Sequence, residues 1–257
     1  MIVFYADLDN TLIYSYKHEI GPERIGVEVY QGRTISFMTP YTYQWLGRIR
    51  EQTLFVPVTT RTREQYERIN LGSRPAYALV CNGGILLEQG QEDAAWYAES
   101  LRLAEDAADA LRLGEEYMTK DPHRIFEVRN VRGLFLFTKS AQPRETRRRL
   151  RERLDSSVEV FRNGEKVYVV PLHLNKGMAC RRFRQRLGEE TVCTLAAGDS
   201  GFDIPMLQAA DRFMAPEGLC DTYGLQGGER WKEGEGIFSD FVLEQVVRRL
   251  SERAGKD

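Results

Sequence analysis

Several things are scarce in this chain of 257 residues, and each scarcity removes a class of protein. Its four cysteines, Cys81, Cys180, Cys193 and Cys220, contain no Cys-x-x-Cys pair, which argues against a zinc or dithiol site. Cys81 and Cys193 lie in apolar, strand-like stretches, where a buried free thiol is expected. The three histidines, His18, His123 and His173, are scattered and lack metal-ligand spacing. No apolar run approaches the roughly 20 residues needed to span a bilayer. No charged segment leads into an apolar stretch with a small-residue cleavage site, so no signal peptide is expected, and the reading is a soluble, cytoplasmic protein with reduced thiols. A net charge of −2 gives no global sign of a nucleic-acid binder. Internal repeats and low-complexity tracts are also missing. What is present is an ordinary globular balance, 42% hydrophobic and 29% charged, at a length that suits one large domain or a core with a second, smaller domain.

The pattern along the chain alternates. Residues 2–6 read as a buried strand ending at turn-prone Asp and Asn. Residues 12–39 suggest a hairpin, and Pro40 opens a helix to about Glu51. "TLFVPVTT" (53–60) is a second buried strand, with Pro57 as an objection because proline lacks a ladder donor. A helix over 63–71 and a third strand over 76–84 follow. This order favours a parallel sheet with right-handed crossovers. The pattern then changes: a short strand at 85–90, one long helix over 99–118, a hairpin over 124–139, a helix over 143–154, and a hairpin over 157–171 turning at Asn163-Gly164. Residues 85–171 therefore read as an inserted α+β domain with an antiparallel sheet. The α/β pattern resumes with a helix over 176–188, a strand over 191–198, a helix over 203–210 and a short strand over 211–216. Residues 217–236 read as a Gly-rich loop, and the last helix covers about 238–252. The fold class is α/β, a Rossmann-like doubly wound parallel core (1–84 and 172–257) with an inserted domain (85–171).

Chemistry-bearing residues collect at the strand ends. Asp7 and Asp9 follow the first strand, Thr59 and Thr60 end the second, and Asp199, Ser200 and Asp203 follow the strand over 191–198. Lys176 opens the helix before that strand. Open α/β sheets bind ligands outside the carboxyl ends of their strands, so these residues can converge. Clustered carboxylates repel, and a hard divalent cation such as magnesium relieves them through oxygen ligands. A lysine and a threonine hydroxyl can hold phosphoryl oxygens. One aspartate can act as nucleophile and another as acid and base, the positioning-and-neutralisation chemistry of phosphoryl transfer.

The motifs in this order resemble those of the haloacid dehalogenase superfamily. "DLDNTL" (7–12) is similar to its DxDx[TV] signature. Thr59, followed by Thr60 and Arg61, is similar to the second motif, Lys176 in "LNKGMA" to the third, and "GDSGFDIPML" (198–207) to the GDxxxD fourth. "CNGG" (81–84) resembles the stretch that closes the core before a large α/β cap, as in Cof-type, sucrose-phosphate and mannosyl-3-phosphoglycerate phosphatases. The resemblance implies Asp7 as nucleophile and Asp9 as general acid/base with its carbonyl on Mg2+. It implies Thr59 and Lys176 on the phosphoryl group, Asp199 as a metal ligand, and Asp203 supporting from behind or through water. Arg61 and Asn82 are candidates for substrate contact. Three departures stand out: Phe202 where Cof-type members carry Asn, Thr60 where the second motif has Gly, and Asn10 where many members have Gly. The implied substrate is a small phosphorylated metabolite, sugar phosphates first. A phosphomutase or phosphotransferase of the same architecture, and a non-catalytic ligand- or RNA-binding module, are the alternatives.

Arg144, Arg147, Arg148, Arg149, Arg151 and Arg153 crowd the helix over 143–154. A solvated face with Glu145 and Glu152 as partners is the expectation, against a lid over a polyanion or an RNA contact. The helix has no interleaved aromatics, which weakens the RNA reading, and no membrane partner is expected.

Overall fold

The computed structural model describes residues 1–188 and 193–254. By internal contacts the chain divides into two units: residues 1–92 with 176–257, and residues 93–175. In the first unit the chain forms β1 (Ile2–Ala6), β2 (Tyr14–Ser15), β3 (Ile25–Tyr30), β4 (Arg33–Met38), α1 (Pro40–Ile49), β5 (Leu54–Pro57), α2 (Arg63–Tyr66), β6 (Tyr77–Val80), β7 (Ile85–Glu88) and β8 (Gln91–Glu92). The insert contributes α3 (Ala94–Ala104), α4 (Ala108–Thr119), β9 (Arg129–Val131), β10 (Phe135–Lys139), α5 (Pro143–Arg151), β11 (Val158–Asn163) and β12 (Lys166–Pro171). The first unit then resumes with α6 (Lys176–Leu187), β13 (Cys193–Ala197), α7 (Ile204–Ala209), β14 (Arg212–Pro216), α8 (Glu217–Tyr223), β15 (Glu229–Trp231) and α9 (Phe238–Ala254).

The core is a five-stranded parallel sheet in the order β15-β14-β13-β1-β5. All five residues of β1 are buried, as expected of a strand that is apolar on both faces. From β1 the chain first places β5 on one side and later β13, β14 and β15 on the other. The order therefore reverses between β1 and β13, the switch point where such sheets bind ligands. Ala6 pairs with both Ala197 and Pro57, so the three strands end level and Asp7, Gly198 and Val58 leave together. Pro57 is accommodated because β5 is the last strand of this ladder. Two helix starts are tied together beside the core. Thr39 caps α1, and Thr39 and Thr42 of α1 donate to Asp240 in the first turn of α9.

Five expectations need correction. The helix over 63–71 stops at Tyr66, because the chain leaves it to meet β3: Ile69 bridges Glu28, and the Asn70 amide donates to the Val27 carbonyl at 2.7 Å. The strand over 76–84 is not a full member of the parallel ladder. It joins through one bridge, Val58 to Leu79, and otherwise belongs to the antiparallel sheet β6-β7-β8. That hairpin keeps residues 85–92 with the first unit, whereas the sequence pattern starts the insert at 85. The single helix over 99–118 is two helices, begun by an Asp93 cap and separated by a 3-10 turn at Glu105–Ala107. Residues 217–236 are not loop throughout; α8 and the edge strand β15 lie there. Of the expected strand 191–198, residues 191 and 192 lie outside the described residues.

The insert is an antiparallel sheet, β11-β12-β10-β9. Leu136, Val158, Val160, Val167 and Val169 of the sheet form a buried cluster with Leu111 and Met118 of α4 and Leu150 of α5. The arginines over 143–154 are largely engaged. Arg148 pairs with Glu145 and Glu152, Arg149 pairs with Glu145, Arg147 donates to the Val160 carbonyl at 2.9 Å, and Arg153 lies over Tyr117.

Candidate active site

The turn after β1 is built from its backbone. The amides of Thr11, Leu12 and Ile13 all donate to the Leu8 carbonyl, at 3.2, 2.9 and 2.9 Å. Asn10 takes the left-handed conformation (φ 62°), which asparagine tolerates better than most residues; this accounts for Asn where Gly would also serve. The Asp7 amide donates to the Ala197 carbonyl at 2.9 Å, so the first aspartate is still held by the sheet.

Lys176 is the centre of the charge cluster. Its Nζ donates at 2.6 Å to Asp7 Oδ1 and at 2.6 Å to Asp203 Oδ1, and its side chain is 1% exposed. Asp203 is saturated: its Oδ2 accepts from the Asp199 amide (3.2 Å), the Ser200 amide (2.9 Å) and the Ser200 hydroxyl (2.8 Å). It acts as a clasp on the turn that carries Asp199. Thr11 donates to Asp199 Oδ1 at 3.3 Å. Two glycines make this packing possible. A Cβ at Gly198 would overlap the Asp203 side chain, and a Cβ at Gly177 would overlap the Pro205 carbonyl, where α6 meets α7.

The electrostatics follow from burial. The Asp7 carboxyl is pushed well above the ordinary carboxylate range, first by burial; Lys176 opposes this, and the charges of Asp203, Asp199 and Asp9 add to it. Asp199 is pushed up to about 7, again first by burial and then by Asp203. Burial works against the Lys176 ammonium, but Asp203 and Asp7 outweigh it and raise its pKa. Asp7, Asp199 and Asp203 can each offer one carboxylate oxygen within 4.8 Å of the others. The donor set is all oxygen and carries more acid than Lys176 neutralises, which fits a hard divalent cation. With Asp203 engaged on both oxygens, Asp7 and Asp199 are the better placed ligands.

Thr59 is fully buried, and its Oγ1 accepts from the Arg61 amide at 3.2 Å. Arg61 grips Asp9 with both arms, Nε to Oδ2 and Nη2 to Oδ1, each at 2.7 Å, and its Nη1 reaches Glu28 Oε2 at 2.9 Å. Asn82 is buried at the end of the β6 turn, where its amide donates to the Thr59 carbonyl at 2.8 Å. Cys81 and Asn82 both have positive φ, sparsely populated backbone of the kind that collects at functional sites, and Gly83 follows with the positive φ that glycine adopts freely. Phe202, in place of the Asn of Cof-type members, is buried. Sequence reasoning missed Thr11, Gly177, Gly198 and Glu28. The first three stand inside or beside the quoted motifs; Glu28 has no motif to mark it.

Residues 76–215 match the haloacid dehalogenase-like hydrolase family. No curated protein sequence matches the chain. Among solved structures, the chain is similar to the sucrose-phosphatase of Synechocystis sp. in complex with sucrose and phosphate, at 18% identity over 96% of this chain and 97% of that one, with a TM-score of 0.65. A haloacid dehalogenase-like hydrolase from B. subtilis aligns at 14% identity over 95% and 98%, with a TM-score of 0.58. A trehalose-6-phosphate phosphatase of Aspergillus fumigatus aligns at 16% identity over 96% and 92%, with a TM-score of 0.53. At these identities the likeness is one of fold.

Proposed function

The chain belongs to the haloacid dehalogenase-like hydrolase family, and from that premise we propose that it is a magnesium-dependent phosphatase acting on a small phosphorylated metabolite, sugar phosphates first. The observation that carries the reading is the buried Asp7–Lys176–Asp203 cluster with Asp199 beside it, at the switch point of the sheet. The fold neighbours named for sucrose and trehalose-6-phosphate phosphatases support the substrate class.

In this reading an Asp7 oxygen attacks phosphorus as the ester P–O bond breaks, giving an aspartyl-phosphate. Asp9 gives a proton to the leaving oxygen, then takes one from the water that hydrolyses the intermediate. Lys176 and the Thr59 hydroxyl hold the phosphoryl oxygens and offset their charge. Mg2+, when bound by Asp7, Asp199 and the Asp9 carbonyl, supplies the remaining charge neutralisation. Asp203 fixes the lysine and the Asp199 turn.

The test is hydrolysis of p-nitrophenyl phosphate by the purified protein with Mg2+, followed by a screen of phosphorylated metabolites. Asp7→Asn should abolish turnover while leaving the circular dichroism spectrum unchanged. Near-normal turnover in that variant removes Asp7 as nucleophile, and a wild-type protein inert on every phosphate ester removes the reading.

A further inference from the structure

Glu28 lies in the hairpin strand β3, far in sequence from every motif, yet its side chain is 0% exposed. A buried carboxylate is costly unless it is fully paired. Here it is: Oε2 accepts from Ser36 Oγ at 2.6 Å and from Arg61 Nη1 at 2.9 Å, and Oε1 accepts from Arg68 Nη2 at 3.0 Å and Nε at 3.2 Å. Arg68 is held in turn over the Tyr30 ring, 4.7 Å from its centroid. The network is a chain of alternating charge: Arg68, Glu28, Arg61, Asp9.

Its far end is the candidate acid/base. The Asp9 side chain is 46% exposed, so the protein gives it little steric confinement. The two-armed Arg61 contact sets the plane of the carboxylate as a single hydrogen bond could not. An arginine has several free torsions, and this one is steadied from behind by Glu28 through its remaining nitrogen. Ser36 and Arg68 fix Glu28 itself, so each link in the chain is held by the next.

We infer that Glu28 is a positioning residue for Asp9, acting through Arg61. This rests on the reading of Asp9 as the general acid/base. Glu28 reaches the candidate site through Arg61, so its loss should be felt in the two steps that use Asp9, proton donation to the leaving oxygen and proton removal from the attacking water.

The experiment compares phenyl phosphate with p-nitrophenyl phosphate. The p-nitrophenolate leaves readily without a proton, whereas the more basic phenolate depends on the acid. In Glu28→Gln the deficit in kcat/KM, which covers the step that expels the alcohol and not the later attack by water, should be about tenfold or more larger for phenyl phosphate, a fraction of what general acid catalysis contributes. A crystal structure of that variant should show Arg61 released from its fork on Asp9. Equal loss of kcat/KM on both esters, no loss on either, or an Arg61 still seated on Asp9 overturns the inference while leaving the phosphatase reading intact. A wild-type protein inert on both esters instead overturns the phosphatase reading and the Asp9 role with it. If Glu28→Gln does not fold, Glu28→Asp, which keeps the charge but shortens its reach, is read by the same comparison.

Discussion

Lys176→Met is the sharpest test of how the site is held together. The substitution roughly keeps side-chain bulk and removes the cation, leaving Asp7 and Asp203 buried without the 2.6 Å contacts that now hold them. Breaking a buried ion pair by removing one partner costs about 3–5 kcal/mol, because the surviving charge is stranded. For a chain of this size that is a fall in Tm of roughly 6–20 °C. The loss has a pH signature. Lys176 is the main influence now lowering the Asp7 pKa, so in the variant the carboxyl rises further above its unfolded value. An acid whose folded pKa exceeds its unfolded one is still protonated in the fold where the unfolded chain has released its proton. Its stabilising contribution is complete below the unfolded pKa and is lost as pH rises, at up to about 1.4 kcal/mol per pH unit for each such carboxyl. Thermal melts at about pH 5.5 and about pH 8 should therefore show a larger deficit at the higher pH. Lys176→Met combined with Asp203→Asn should recover part of it, because the second change removes one stranded charge. A Tm within about 2 °C of wild type at both pH values, or a larger deficit at the acid end, refutes the reasoning.

Gly177→Ala should cost about 1–3 kcal/mol or more by urea unfolding, because the added methyl must push α7 off α6 at the Pro205 carbonyl; an unchanged midpoint shows that the close approach is not obligatory. Millimolar Mg2+ should raise the Tm of the wild-type protein, and Asp199→Asn should abolish most of that rise; an equal rise in both proteins removes Asp199 from the metal site.

The parts of this fold that could be read from sequence are those governed by simple periods. β1 is an unbroken apolar run, and β13 is apolar apart from Thr194, because each is flanked by sheet on both sides; their ends identify themselves by where the carboxylates begin. The candidate residues Asp7, Lys176, Asp199 and Asp203 fall together because those ends are level. What was not legible depends on contacts between distant backbones. Gly177 and Gly198 look like ordinary helix and turn glycines until Pro205 and Asp203 are in place. β15 is short, follows Gly227-Gly228 and has no apolar alternation, so composition alone hides it. α2 ends early because residues 69 and 70 find hydrogen-bond partners in β3, a competition that local helix propensity does not register.

Glu28 is the clearest case. Strict alternation along Ile25–Tyr30 would turn Val27 and Val29 inward and Glu28 out to water. The pairing of β3 with β4 instead slips on either side of Glu28, and Val27 and Glu28 are buried side by side while Val29 faces solvent. This irregularity puts an arithmetic limit on how the hairpin can drift over generations. Its tip, at Gln31 and Gly32, lies beyond the slipped pairs and is open to lengthening or trimming. Between Gly26 and Val29, losing a residue on the Val29 side of Glu28 would restore strict alternation there and turn the carboxylate out to water. In that short span the register of each residue matters, a constraint set by Arg61, which the hairpin meets through Glu28 at 2.9 Å.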